Sequence, residues 1–382
     1  MVAQGKNTGN PDGLPSILTQ RKRKSASKNR AWVCCVRLVR RIIMAFDIGI
    51  DLGTSSTLIY EKTKGIILNE PSMVIKSNTT SQVVAIGVDA SDMMGRTPEG
   101  VSGIMPIRNG AITGFNATVS MLRHFIKKVC SNTFMRIRAV ISVPCGISEV
   151  ERRAVCEAAR NAGIREIVLM EAPLAAAVGC GVEIGAPHGS MIVNVGAGVT
   201  EAAVISLGGI VVSQKTTTAG NTFDEAIIQY VKKQHGVVIG EATAENLKIN
   251  IGSVYAGMNT EIIEVNGRDV VSGMPKSAKI TSDEIRPVLT EIAEEIVDAV
   301  KVALENTPPE LGADVMESGI VLTGGGSMLR GLGRLINMST EIPVYIAENP
   351  LECVAVGTGK SIDYMMNNMG ISNIGRSLLG RW

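Results

Sequence analysis

Ile48-Gly-Ile-Asp-Leu-Gly-Thr-Ser-Ser-Thr-Leu-Ile-Tyr60 and Met191-Ile-Val-Asn-Val-Gly-Ala-Gly-Val-Thr-Glu-Ala-Ala-Val204 are two versions of one pattern set 143 residues apart. Asp51 aligns with Asn194, and Gly53 with Gly196. Each reads as a β-run, a tight glycine turn and a second β-run, and each continues through a further turn (Lys64-Gly65; Gly208-Gly209) into a third run. Two half-molecules of related construction are implied. Such turns suit phosphate, because missing Cβ atoms let backbone N–H groups converge on an anion, and Thr54, Ser55 and Ser56 add hydroxyl donors. Asp51 beside them is of the type that holds hydrated Mg²⁺. One such hairpin is an ordinary β-turn; two at matching places in two halves point to a ligand.

Outward from the hairpins, Ser148-Glu-Val-Glu151 is a capping box for a helix through Arg152 to Asn161, and Gly163 is placed to end it. Thr222-Phe-Asp-Glu225 is expected to open a second helix that closes near Gly236. Strands at Ala139–Val143, Glu166–Leu169, Gly319–Leu322 and Val344–Ala347 alternate with the helices, an α/β pattern. Thr323-Gly-Gly-Gly-Ser327 is expected to bring backbone to a ligand at the N-terminus of a helix over Met328–Ile336.

Composition narrows the function classes. The 382 residues are 45% hydrophobic and 19% charged, enough apolar content and length for two or three compact domains. Apolar runs break off far short of the ~20 residues that span a bilayer. The seven cysteines (34, 35, 130, 145, 156, 180 and 353) form no CxxC pair, and His124, His188 and His235 lie far from them, against a zinc site or disulfide scaffold. Scattered thiols fit a reducing cytoplasm, each as a small buried apolar residue. Residues 1–43 hold ten Lys/Arg against one Asp, a net +9, and the rest of the chain is −7. With 3% aromatics, that body does not read as a nucleic-acid binder. The leader has two open readings. Trp32–Ile43 mixes apolar and basic residues as membrane-surface helices do, whereas Met44 directly before the first strand fits a later translation start.

Several motifs together carry a resemblance. Asp51-Leu-Gly-Thr-Ser-Ser-Thr, Leu68-Asn-Glu-Pro-Ser72, Met94-Gly-Arg-Thr-Pro98, Val143-Pro-Cys-Gly-Ile-Ser-Glu-Val-Glu-Arg-Arg-Ala154, Asp224-Glu-Ala-Ile-Ile-Gln-Tyr230, Thr307-Pro-Pro-Glu-Leu311 and Ile320-Val-Leu-Thr-Gly-Gly-Gly326 closely resemble the MreB family of bacterial actins, over roughly residues 46–365. The resemblance implies an actin-like ATPase fold with two related RNase H-like halves and four subdomains around a nucleotide cleft. It divides the chain into a leader (1–43), a first half (44–188), a second half (189–365) and a tail (366–382). It places Gly53, Thr54, Ser55 and Ser56 at the first phosphate loop, and Gly196, Gly198, Val199 and Thr200 at the second. Glu245, Asn246, Leu247 and Lys248 fall near ribose and adenine, Gly324, Gly325, Gly326 and Ser327 over the nucleotide, and Asp51 at Mg²⁺. Glu245 and Lys248 stand i, i+3 on one helix face, a spacing equally that of a solvated ion pair. Phe134 and Met135, in Cys130-Ser-Asn-Thr-Phe-Met-Arg-Ile-Arg138, occupy the place of the family's membrane loop; two apolar side chains folded back on the body are the alternative.

The pattern also breaks in places. The second loop reads Asn194-Val-Gly-Ala-Gly-Val199 where the family has Asp, three glycines and Thr. Asn194 loses a charge that holds Mg²⁺, Ala197 adds a Cβ, and Val199 lacks a hydroxyl. The family's water-positioning glutamate precedes the proline of E-P-x-A-A-A, where this chain has Ala172; Glu171 stands one residue early, about 100° round a helix. Asn109, Gly114 and Asn116 replace further acids. The expectation is an ATP- and Mg²⁺-binding filament protein with weakened hydrolysis. It would lie at the inner membrane face in the cytoplasm, with itself and cell-wall synthesis and morphogenesis proteins as partners and no nucleic acid. A monomeric ATPase of the same superfold and a non-polymerising regulator of a true MreB filament are the competing readings.

Overall fold

The computed structural model describes residues 45–96, 98–130, 135–256 and 260–364. One compact unit begins at Asp47; the unit ending at Phe46 contributes only Ala45 and Phe46 to the described residues. The leader 1–43, Phe134 and the tail 366–382 lie outside the described residues, and Met135 is half-buried just ahead of a strand.

In chain order the first part runs β1 (Ala45–Leu52), β2 (Ser56–Glu61), β3 (Gly65–Pro71), β4 (Val74–Ser77), β5 (Val83–Ile86), α1 (Val88–Met93), β6 (Val101–Ile104), β7 (Ile107–Arg108) and β8 (Ala111–Ile112). It continues with α2 (Phe115–Val129), β9 (Arg136–Val143), α3 (Glu149–Ala162), β10 (Glu166–Glu171) and α4 (Ala172–Cys180). The second part runs β11 (Ser190–Val195), β12 (Thr200–Ser206), β13 (Gly209–Thr216), α5 (Gly220–His235), β14 (Val237–Val238), α6 (Glu241–Ile251), β15 (Ile262–Asp269), β16 (Pro275–Thr281) and α7 (Ser282–Glu305). It ends with α8 (Pro309–Ser318), β17 (Ile320–Thr323), a 3₁₀ turn (Gly325–Met328), α9 (Leu332–Thr340), β18 (Val344–Ile346) and α10 (Cys353–Lys360).

The sequence repeat is a topological repeat. One five-stranded sheet has the order β10-β9-β1-β2-β3 and the other β18-β17-β11-β12-β13, so each is an antiparallel three-strand meander extended past its first strand by two later ones. The turns repeat in detail: Gly53 N–H donates to Ser56 C=O at 3.1 Å, and Gly196 N–H to Val199 C=O at 2.9 Å. Each half also carries a small three-stranded sheet, β5-β4-β6 in the first and β14-β15-β16 in the second. These arrangements are α/β, with one sheet order used twice.

Local signals account for the helix ends. Ser148 caps α3 with a full capping box through Glu151, and Gly163 ends it at φ +112°. The helix expected from Thr222 starts two residues earlier, at Gly220, because the carbonyls of Gly196 and Ala197 in the second glycine turn take the N–H groups of Gly220 and Asn221; Thr222 stands one turn inside, where its Oγ1 accepts the N–H of the N-cap Ala219 at 3.3 Å. The expected helix over Met328–Ile336 is corrected too. The chain closes a 3₁₀ turn at Gly325–Met328, passes Gly331 at φ +89°, and becomes α-helical only at Leu332.

Two helices knit the halves together. α4 is apolar on every side, as a helix enclosed by core must be, and Ala172 to Ala177 are all buried. It packs with α10 in a cluster that draws Val140 from the first large sheet and Ile192 and Ile205 from the second. Glycines permit the crossing: a Cβ on Gly357 would lie 1.7 Å from the Ala175 carbonyl oxygen, and one on Gly179 1.9 Å from that of Cys353.

Candidate functional site

The two glycine hairpins, the loop after β17 and the N-termini of α4 and α5 line one cavity of about 480 Å³. Asp51, Gly53, Thr54, Ser55 and Ser56 form one wall; Asn194, Gly196, Ala197, Gly198 and Val199 face it. Gly324, Gly325 and Gly326 form a third side, and Glu245 and Lys248 lie at the α6 end. Most of the site residues expected from the sequence are thus brought together.

Close approach explains the glycines. A Cβ on Gly198 would come within 2.6 Å of Thr54 Oγ1, so the two hairpin turns nearly touch. Gly324 has φ +82°, a conformation L side chains avoid, and a Cβ there would meet the Val195 carbonyl oxygen at 2.4 Å and Asn194 Oδ1 at 2.8 Å. The N-terminus of α5 docks on the second turn, where Gly220 N–H donates to Gly196 C=O at 3.0 Å and Asn221 N–H to Ala197 C=O at 2.8 Å. The first N–H groups of α5 are thus spent on the turn, but glycine-lined turns let backbone approach a ligand closely and the helix N-terminus adds positive partial charge, which favours an anion without help from basic side chains. Arg330 also lines the cavity, but its guanidinium is engaged by Glu261 and the Asn250 carbonyl, both at 2.6 Å.

Four expected residues point elsewhere. Thr200 is fully buried, and its hydroxyl donates to the Thr218 carbonyl at 2.7 Å. Leu247 sits in the core of the second part, Asn246 is exposed, and the buried Ser327 hydroxyl turns back to the Gly324 carbonyl at 2.6 Å. Lys248 does not pair with Glu245: its ammonium donates to Asp224 Oδ2 at 2.7 Å and to the Gly220 carbonyl at 3.0 Å. It therefore ties α6 to the start of α5 at the cavity wall. Burial pushes Asp224 up to about 6 despite that ammonium.

Acidic groups distinguish the floor. Asp51 takes a hydrogen bond from Ser142 Oγ at 2.7 Å, and burial lifts its carboxyl to about 6. Asn194 sits at the matching position of the other hairpin, neutral and 8% exposed. Ala172 lines the cavity at the start of α4 and Glu171 does not. The one-residue offset leaves Glu171 as the N-cap of α4, half-buried, with burial raising its carboxyl and Arg152 opposing that rise. Sequence reasoning missed Glu201, which lines the cavity from β12 at 2% exposure. Its signal was available: one acid inside a strand whose every residue is buried. Ser142, Asn221, Pro350, Leu351 and Val354 were also missed, being supplied by elements without a glycine signature.

Comparison with known proteins agrees with this geometry. A model of the MreB/Mbl protein family matches residues 45–369. The chain is 50% identical over 323 residues to the cell shape-determining protein MreB of Escherichia coli K12, covering 83% of this chain and 93% of that protein. It is 44% identical to the cell shape-determining protein Mbl of Bacillus subtilis, covering 85% and 97%. Among solved structures, MreB5 of Spiroplasma citri bound to AMPPNP superposes with a TM-score of 0.81 at 36% identity, covering 85% of this chain and 98% of that one. The MamK double helical filament shares the fold at a TM-score of 0.72 and 21% identity, covering 84% and 99%.

Proposed function

This chain belongs to the MreB/Mbl protein family, and on that premise we propose that it is an ATP-binding, actin-like protein that assembles into filaments at the inner face of the cell membrane. There it helps organise cell-wall synthesis and cell shape, with ATP hydrolysis weakened relative to a chain carrying the full set of acids. The observation that carries the reading is the glycine-lined cavity between two copies of one hairpin. Its size suits a nucleotide, and its walls are glycine-lined turns that let backbone approach a phosphate closely. The nucleotide-bound state of the Spiroplasma relative supports the same occupant. Two five-stranded sheets of one strand order support a division into halves, 44–188 and 189–365, that would close on it.

Asp51 fits Mg²⁺. It is a half-buried carboxylate with one hydroxyl donor, and among the described residues no cluster of three His, Cys, Asp or Glu forms an all-protein cage. That is the donor set of an ion that keeps its waters and shares phosphate oxygens. Such an ion would supply charge neutralisation at the phosphates. The hairpin turns would hold the triphosphate by N–H groups, Thr54 to Ser56 would add hydroxyls, and Lys248, fixed by Asp224, would brace the α6 wall.

Ala172, Asn194 and Val199 together favour a second reading, a nucleotide-binding regulator that joins or caps filaments of a fully acidic relative. Binding of ATP·Mg to the full chain, followed by phosphate release, tests the first part. Binding with slow release is expected. Failure to bind a nucleotide removes the proposal.

A further inference from the structure

Among the described residues, three carboxylates line the cavity: Asp51, Glu201 and Glu245. Glu245 stands on α6 with Lys248, away from the hairpin turns, and Asp51 is the residue suited to the cation. Glu201 is left without a task. It is 2% exposed on β12, directly across from neutral Asn194 of β11. One carboxylate oxygen, Oε1, accepts the Cys145 N–H at 2.6 Å, which fixes the group to the segment after β9 and so ties the first large sheet to the second. Among the described residues no ion pair holds it, and a buried carboxylate without a cation is costly to keep for packing alone.

Resting on the nucleotide reading above, we propose that Glu201 is the general base of this chain's residual nucleoside triphosphate hydrolysis. A water seated between Glu201 and the terminal phosphate attacks phosphorus. Its proton passes to a carboxylate oxygen of Glu201 as the new P–O bond forms. The bond from phosphorus to the bridging oxygen breaks, its electron pair leaving with the diphosphate, and Glu201 returns its proton to solvent. The surroundings suit a base working near neutrality. Burial lifts Glu201 to about 7, the Cys145 amide and thiol and Lys215 on β13 pull it down, and Glu171 at the end of β10 pushes it up. A base with its pKa near the working pH transfers protons most effectively.

Glu201→Gln separates catalysis from structure, because glutamine keeps an acceptor for the Cys145 N–H and cannot take a proton. Expected for the full chain with ATP·Mg is phosphate release at least about tenfold slower in Glu201→Gln, within the general range for loss of a base. ATP affinity should stay within about twofold, and the wild-type rate should rise with pH through about 7 while that of the variant stays flat. Equal rates in the two proteins would overturn the assignment, as would ATP binding with no detectable turnover in the wild type. If the wild type does not bind ATP at all, the nucleotide reading itself fails, and binding measured before turnover tells the two failures apart.

Discussion

Ala172 and Asn194 are single residues on which the rate of the whole chain is expected to depend. Both line the cavity, so acids placed there would face the ligand, whereas Glu171, N-cap of α4, does not line it. Ala172→Glu with Asn194→Asp should therefore raise phosphate release by about tenfold or more, inside the range attributed to a positioned base. An unmodified protein already as fast as the double variant would show that these positions do not limit turnover. Glu201 and Asp224 also fix the sign of a pH effect on stability. Both have folded-state values above the ordinary carboxyl range, about 7 and about 6, because burial disfavours the charged form. The folded chain thus binds their protons more tightly than the unfolded chain. Their contribution is complete below the ordinary carboxyl range and is lost as pH rises through the folded values. The melting midpoint of the nucleotide-free chain should fall between about pH 5 and about pH 8, and fall less in Glu201→Gln. A midpoint rising over that interval contradicts the burial argument.

Elements whose ends are written locally were legible; those set by tertiary packing were not. The two hairpins, α3 between Ser148 and Gly163, and the strand before Gly324 follow from glycine turns, a capping box and apolar runs. The start of α5 at Gly220 was not, because its first turn is held by the carbonyls of Gly196 and Ala197 from another element. The 3₁₀ turn before α9 looks in sequence like the opening of a helix, and only Gly331 at φ +89° shows the break. Glu201 carries no motif of its own, and its meaning depends on the cavity beside β12. The crossing of α4 and α10 is where packing is least forgiving. Gly357→Ala must push a methyl group into the Ala175 carbonyl, and should cost about 1–3 kcal/mol or more. Gly312→Ala is the control, since it lies in α8 with open space around it and should gain roughly 0.5–1 kcal/mol. Denaturant midpoints read both; a neutral Gly357→Ala would mean that the helices do not cross as closely as described.

At the scale of the whole molecule, two related sheets joined by α4 and α10 enclose a nucleotide-sized cavity, so occupancy and the relation of the halves are expected to be coupled. Among the described residues no helix is long and apolar enough to cross a membrane. Phe134→Ser with Met135→Ser should reduce co-sedimentation with anionic vesicles. Binding that survives this change and disappears on deleting residues 1–43 would assign attachment to the leader instead. The central claim is that ATP drives this family member into filaments. Sedimentation of the full chain with and without ATP·Mg, read by electron microscopy of the pellet, tests it most directly. Filaments that pellet only with nucleotide are the expected result; a chain that stays monomeric with bound ATP at high concentration, in solution and on vesicles alike, would contradict it.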